Sequence, residues 1–357
     1  MLDPRRVALL VSLVLAACGH RPDGPEVAPS SPSAAPERSA STPPQSSATA
    51  RDASGIRFRG SEVVFASVED GRSLLGASDD FTRALGTLDR QLRLHTTTPV
   101  TDGAFRAHAA AQVVDWADDA KTKWSAAAAK LGAALEGISI SLPKVIPILQ
   151  TTGKEEFDAA YTRGSAIVLP AREVSTSGSP LQLLAHELFH VASRHDPALR
   201  ARLYPLIGFK PVEVVELPAA LEPKRLTNPD AFVNAFAIPV HLQSKGGSPD
   251  RSFLAVPLVY CAPPLEQALG VGLGRAIGLS LLEVDDAGKV VTDQGTPRLH
   301  DVDETDYLKV ASVNTGYAIH PEEVLADNFA LIVLERSGEK PDIQDRAALD
   351  RIAEALR

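Results

Sequence analysis

Methionine occurs once, as Met1, and cysteine twice, as Cys18 and Cys261, in a chain of 357 residues. So few cysteines exclude the disulfide frameworks that staple small secreted domains, so the fold must rest on its core. The net charge is −9, with no basic stripe and no internal repeat, which argues against nucleic acid as a partner and against a repeat architecture. The apolar run near the start, Val7 to Ala17, has about half the length that a membrane-spanning helix needs. Large aliphatic residues are nearly missing from residues 21–55, where Val27 is alone among proline, serine and alanine. Such a segment has too little to bury to offset its ordering entropy, and it is expected to be a disordered tether.

What is present begins with Arg5 and Arg6 before that short apolar run, the pattern of a secretory leader. The run ends in "LAAC", Leu15 to Cys18, which resembles the bacterial lipobox. The resemblance implies that Cys18 is lipidated and anchors the chain to a membrane. Gly19 follows where an inner-membrane protein often carries aspartate, which points to the outer membrane of the cell envelope. Cys261, in "VPLVYCAPP", would then have no partner and reads as a small buried hydrophobe. The expected organisation is a leader over 1–18, a tether over 19–55 and a folded domain over 56–357. Residues 56–150 are a candidate helical N-terminal subdomain.

From Ile56 onward the pattern is mixed α+β. Ile56 to Val68 predicts one or two strands, and "KVIPILQ" and "SAIVLP" (Ser165 to Pro170) two more. Phe81, Leu85, Leu88 and Leu92 recur at helical spacing behind a Ser78 cap, and a further helix is predicted from Gly103 to Leu135, entered at Thr101 or Asp102. Its Trp116 and Trp124 read as core. Ser179 and Pro180 open another helix, Asp196 and Pro197 a short one after it. Residues 210–263 read as strands and loops. His320 to Arg336 and Asp342 to Arg357 read as helices, the last amphipathic.

The chemistry gathers in "LLAHELFHVASRHD", Leu183 to Asp196. His186 and His190 are four apart, so a helix puts both imidazoles on one face, where they can share one ion. Glu187 lies beside them, placed to take a proton from a water on that ion. This is the H-E-x-x-H pattern of zinc hydrolases, set in a helix that is otherwise apolar.

A catalytic zinc needs a third protein ligand and an open position. Asp196 stands six residues after His190, but the glycine bend that such a ligand needs is replaced by Ser193, and the methionine turn of the metzincins has no methionine to form it. Asp196 is better explained as a helix N-cap, and His195 is out of phase with the 186/190 face. Downstream, Glu323 and Asp327 in "HPEEVLADNFALIVLE" are four apart on one helical face. Glu322 is an alternative, although both glutamates also suit the helix dipole. Here the chain resembles the gluzincins, in which a second helix supplies E-x-x-x-D to zinc held by H-E-x-x-H.

The resemblance implies a zincin-like domain with His186, His190 and Glu323 as zinc ligands. It makes Glu187 the general base and Asp327 the hydrogen-bond partner that orients a ligand imidazole. It covers two short helices, with "SAIVLP" as a candidate edge strand along the cleft. The separation of His190 from Glu323, 133 positions, exceeds that in many gluzincins. Tyr317 and His320, just before the second helix, are candidate donors to an oxyanion, with Tyr161 a weaker one. The expected activity is hydrolysis of peptide or protein in the cell envelope. The alternatives are a zinc-holding binding module with little turnover, and a structural envelope lipoprotein in which the motif is fortuitous.

Overall fold

The computed structural model describes residues 56–58, 60–243 and 251–357. The expected leader, the tether and the "LAAC" segment lie outside the described residues. The strands of the first sheet are β1 (Ile56–Phe58), β2 (Ser61–Phe65), β3 (Val113–Val114), β4 (Val145–Thr151), β5 (Tyr161–Arg163) and β6 (Ala166–Pro170). They run in the order β1-β2-β4-β6-β5, with β3 pairing the end of β4. The sheet is mixed: β2, β4 and β6 are mutually parallel, while β1 and β5 are antiparallel to their neighbours.

Helices follow in chain order as α1 (Val68–Gly76), α2 (Asp80–Ala84), α3 (Thr87–Arg93), α4 (Asp102–Ala111), α5 (Asp118–Ala134), α6 (Ala171–Thr176), α7 (Pro180–His195), α8 (Pro197–Leu203), α9 (Leu265–Val271), α10 (Leu273–Ala276), α11 (Tyr307–Ala311), α12 (Pro321–Arg336) and α13 (Arg346–Ala355). Strand pleating sorts them into layers. Ile146, Ile148, Ile167 and Leu169 point to one face and pack with Trp124, Leu184 and Phe189 of α5 and α7. Their alternates Leu149, Ala166 and Val168 point to the other and pack with Leu75 and Phe105 of α1 and α4. All five residues of β6 are therefore buried, as a strand covered on both faces requires. Residues 56–150, read as a candidate helical subdomain, supply four strands to this same sheet.

A second, antiparallel sheet joins β7 (Lys210–Pro211), β8 (Phe236–Leu242), β9 (Arg251–Cys261), β10 (Ile277–Val284) and Leu299–Asp301. Ile238, Val240, Phe253 and Leu281 on one of its faces join the large core that also holds α12.

Three sequence expectations are corrected. The helix expected behind Ser78 is two helices, capped by Asp79 and by Gly86, whose N–H is taken by the Asp89 carboxylate at 3.0 Å. The helix expected over Gly103–Leu135 breaks at β3, because β-branched Val113 and Val114 pair with Thr151 and Gln150 instead of continuing the helix. The Thr101 cap itself is present. "SAIVLP" is not an edge: β6 lies between β4 and β5, and β5 is the edge strand.

Candidate metal centre

α7 opens on Ser179, whose side chain accepts the Gln182 N–H, with Pro180 in the first turn. It is buried along Leu184, Leu188, Phe189 and Val191, and it lies against α12, with Phe189 and Phe329 5.7 Å apart between ring centroids. α12 is capped by His320, whose Nδ1 accepts the Glu322 N–H at 3.1 Å. That pairing carries Glu322, Glu323 and Asp327 up to the histidines of α7.

Nε2 of His186 lies 3.3 Å, and Nε2 of His190 3.5 Å, from Oε2 of Glu323. One ligand atom from each of the three residues lies within 4.8 Å of the others, a group able to hold a metal ion. The donor set suits a divalent ion that accepts nitrogen and oxygen. The far nitrogens are also held. Nδ1 of His186 is 2.8 Å from Asp327 Oδ1, and Nδ1 of His190 is 3.2 Å from Glu322 Oε1. Each imidazole thus keeps Nε2 for the ion and Nδ1 for a carboxylate, which sets its tautomer and ring angle.

Glu322 does more than decorate the start of a helix. Besides His190 it accepts hydrogen bonds from the Ser193 and Tyr204 hydroxyls and, at 3.1 Å, from Arg200 Nε. Asp327 also accepts from the Thr315 hydroxyl. Glu323 Oε1 accepts from Asn228 Nδ2 at 2.6 Å. Asp230 forms a second cluster with Glu187 and His190, again within 4.8 Å.

The electrostatics are those of a site made for positive charge. Burial alone would strip the His186 proton, but hydrogen bonds accepted by Asp327 and Glu323 outweigh it and push that imidazole up to about 10. His190 is raised well above its ordinary range against the same burial by Asp230, Glu323 and Glu322. Burial opposes ionisation of Glu322 too, yet His190 and Arg200 draw it down to about 2. Glu323 is likewise held far below the carboxylate range by the two histidines. Glu187 goes the other way, raised by burial and by the Asp230 charge, and its Oε2 is buried with no hydrogen-bond partner. A divalent ion and bound protons compete for the same imidazole nitrogens.

The other sequence candidates separate from this centre. Asp196 caps α8, accepting the Ala198 N–H at 3.1 Å, and His195 ends α7 exposed. Tyr161 packs on the sheet face away from α7, its hydroxyl 3.4 Å from Glu155. Tyr317 is half-buried and lines neither cavity beside the centre. His320 lines a cavity of about 280 Å³ together with Thr162, Arg194, Arg200, Asp230 and Glu322. Sequence reading missed Asn228 and Asp230, which lie in a loop without periodicity. Ser193 and Tyr204 carried no motif signal either.

A family model described as the eCIS core domain matches residues 153–198, from the turn after β4 through β5, β6 and α7. The matched stretch contains His186, Glu187 and His190 and stops short of Asn228, Asp230 and of Glu322, Glu323 and Asp327 on α12. No curated protein matches the chain, and no solved structure does.

Proposed function

We propose that the chain is a zincin-like, zinc-dependent peptidase. One observation carries this reading: a carboxylate 133 residues away in sequence reaches both imidazoles of the H-E-x-x-H helix, at 3.3 and 3.5 Å. His186, His190 and Glu323 would hold the zinc. The bound ion supplies a Lewis acid that polarises a carbonyl and makes water nucleophilic near neutral pH. Glu187, between the ligand histidines on the same helix, takes the proton of the attacking water and passes it to the leaving amine. His320 spends Nδ1 on the α12 cap, so Nε2 is its protonated nitrogen and the candidate donor to the developing oxyanion. The Leu15–Cys18 resemblance supports an envelope location, and peptides or proteins there as substrates.

A zinc-holding module with little turnover is the second reading. It is favoured by the burial of the centre, where Glu187, His190 and Glu323 are 2%, 1% and 2% exposed. Two measurements separate these readings. Zinc copurifies at about one equivalent and is lost in His186→Ala/His190→Ala if a metal centre exists. Cleavage of a peptide library, lost in Glu187→Gln while zinc is kept, marks the enzyme; zinc without cleavage at any pH or temperature favours the module.

A further inference from the structure

Beside the centre, the place where a substrate would lie is filled by the chain itself. Thr227 is pinned by a buried ion pair: Asp89 accepts its N–H and its hydroxyl, each at 2.8 Å, and Arg93 donates to its carbonyl at 2.8 Å. Arg93 is itself held by Glu156. From that anchor the next residues run across the centre. Asn228 donates to Glu323, and Asp230 stands beside Glu187 and His190.

The same Asp230 reaches the sheet. Its Oδ1 accepts the Thr162 N–H at 2.9 Å and the Thr162 hydroxyl, and Arg194 lies 3.6 Å away. Thr162 is the middle residue of β5, whose one strand partner among the described residues is β6. Because Asp230 and not β6 takes this N–H, it faces the open side of the edge strand, where an extended peptide would add by backbone pairing. Phe232 continues the cover by packing on Phe81, with centroids 6.3 Å apart. The 280 Å³ cavity lies outside this cover: Asp230 lines it, while His186, Glu187, His190 and Glu323 do not.

We propose that Asn228–Val233 is an internal strap that occupies the substrate's place, with Asp230 taking the edge N–H of Thr162 and walling the cavity off from the metal centre. Substrate then binds only when the Asp230–Thr162 contact opens. The strap deepens the peptidase reading and rests on a metal held by His186, His190 and Glu323.

The test is entry of a small metal-seeking probe, acetohydroxamate, into the full chain loaded with cobalt(II), followed by the visible absorption of the metal. Asp230→Ala is expected to speed association about ten-fold or more over the wild type. Asp230→Asn keeps an acceptor for the Thr162 N–H and stays within about three-fold of the wild type. Thr162→Val removes the hydroxyl donor with Asp230 in place. It is expected to speed entry about three-fold, and it carries the test if Asp230→Ala does not fold. Equal rates in all the cobalt-loaded proteins overturn the strap and leave the metal centre standing. Asp230→Asn as fast as Asp230→Ala also overturns it, because charge and not contact would then exclude the probe. Absence of cobalt uptake throughout overturns the metal reading and the strap with it.

Discussion

Each imidazole of the centre leans on its own carboxylate, and the two carboxylates are not equivalent. Asp327 is partly exposed, with a side chain 19% accessible, whereas Glu322 is sealed at 1% and shared among His190, Ser193, Arg200 and Tyr204. Removing the partner of a ligand histidine costs orientation more than charge. If the centre holds zinc as proposed, Asp327→Ala and Glu322→Gln should each weaken its binding about 10–100-fold, read by competition with a chromophoric chelator. The two differ in what else they break. Glu322→Ala leaves the Arg200 and His190 groups without their buried partner and should lower stability by about 3–5 kcal/mol in urea melts. Asp327→Ala should cost less than half of that, since water reaches its site. Equal stability losses would mean that Glu322 has no larger structural role than Asp327.

Among elements, the connection from β4 to β5 shows how a buried acid ties strands together. Glu155 accepts the Thr151 hydroxyl from the end of β4 at 2.6 Å and lies 3.4 Å from the Tyr161 hydroxyl at the start of β5, while its Oε2 has no partner. Burial pushes this carboxyl up to about 7. A carboxyl raised in the folded state binds its proton more tightly there than in the unfolded chain. The folded state therefore loses stability as pH rises from about 4.5 to about 7, and the loss levels off above that. Glu155→Gln, uncharged and still able to accept from Thr151, should remove that slope and stabilise the protein at pH 8 by up to about 3 kcal/mol. Melts of both proteins at pH 5 and pH 8 check it; a variant less stable than the wild type at pH 8 would count against the assignment. The elements themselves were legible where caps and periodicity agreed, as at Ser179–Pro180 for α7 and His320–Pro321 for α12. They were misread where a local helical pattern met a distant partner. Val113 and Val114 continue an alanine-rich run, and only pairing with the end of β4 that β2 leaves free makes them a strand.

For the whole molecule, the described residues form one sheet with helices on both faces, a second sheet closing on α12 and a two-stranded ribbon at Thr292–Asp293 and Thr296–Pro297. Among them no helix is long and apolar enough to cross a membrane. If the "LAAC" segment is a lipidation site, Cys18 carries the lipid. Cys18→Ser should then shift the protein from the membrane fraction to the soluble fraction of its host, with zinc content unchanged. Retention of the variant in the membrane fraction would refute lipid anchoring at Cys18.

Residues close in sequence were sufficient to specify part of the centre. His186, Glu187 and His190 lie within five consecutive positions of one helix, and Glu323 and Asp327 within five of another, so helical geometry alone sets each group. The sequence by itself thus determined two half-sites, their caps and the apolar faces that bury them. Only the tertiary structure decided that the halves meet, that Glu323 and not Glu322 faces both imidazoles, and that Asn228 and Asp230 cover the result. The physical reason is that these contacts join residues tens to more than a hundred positions apart. They are set by core packing of α7 against α12 and by the open hydrogen bond of an edge strand, neither of which leaves a period in the chain.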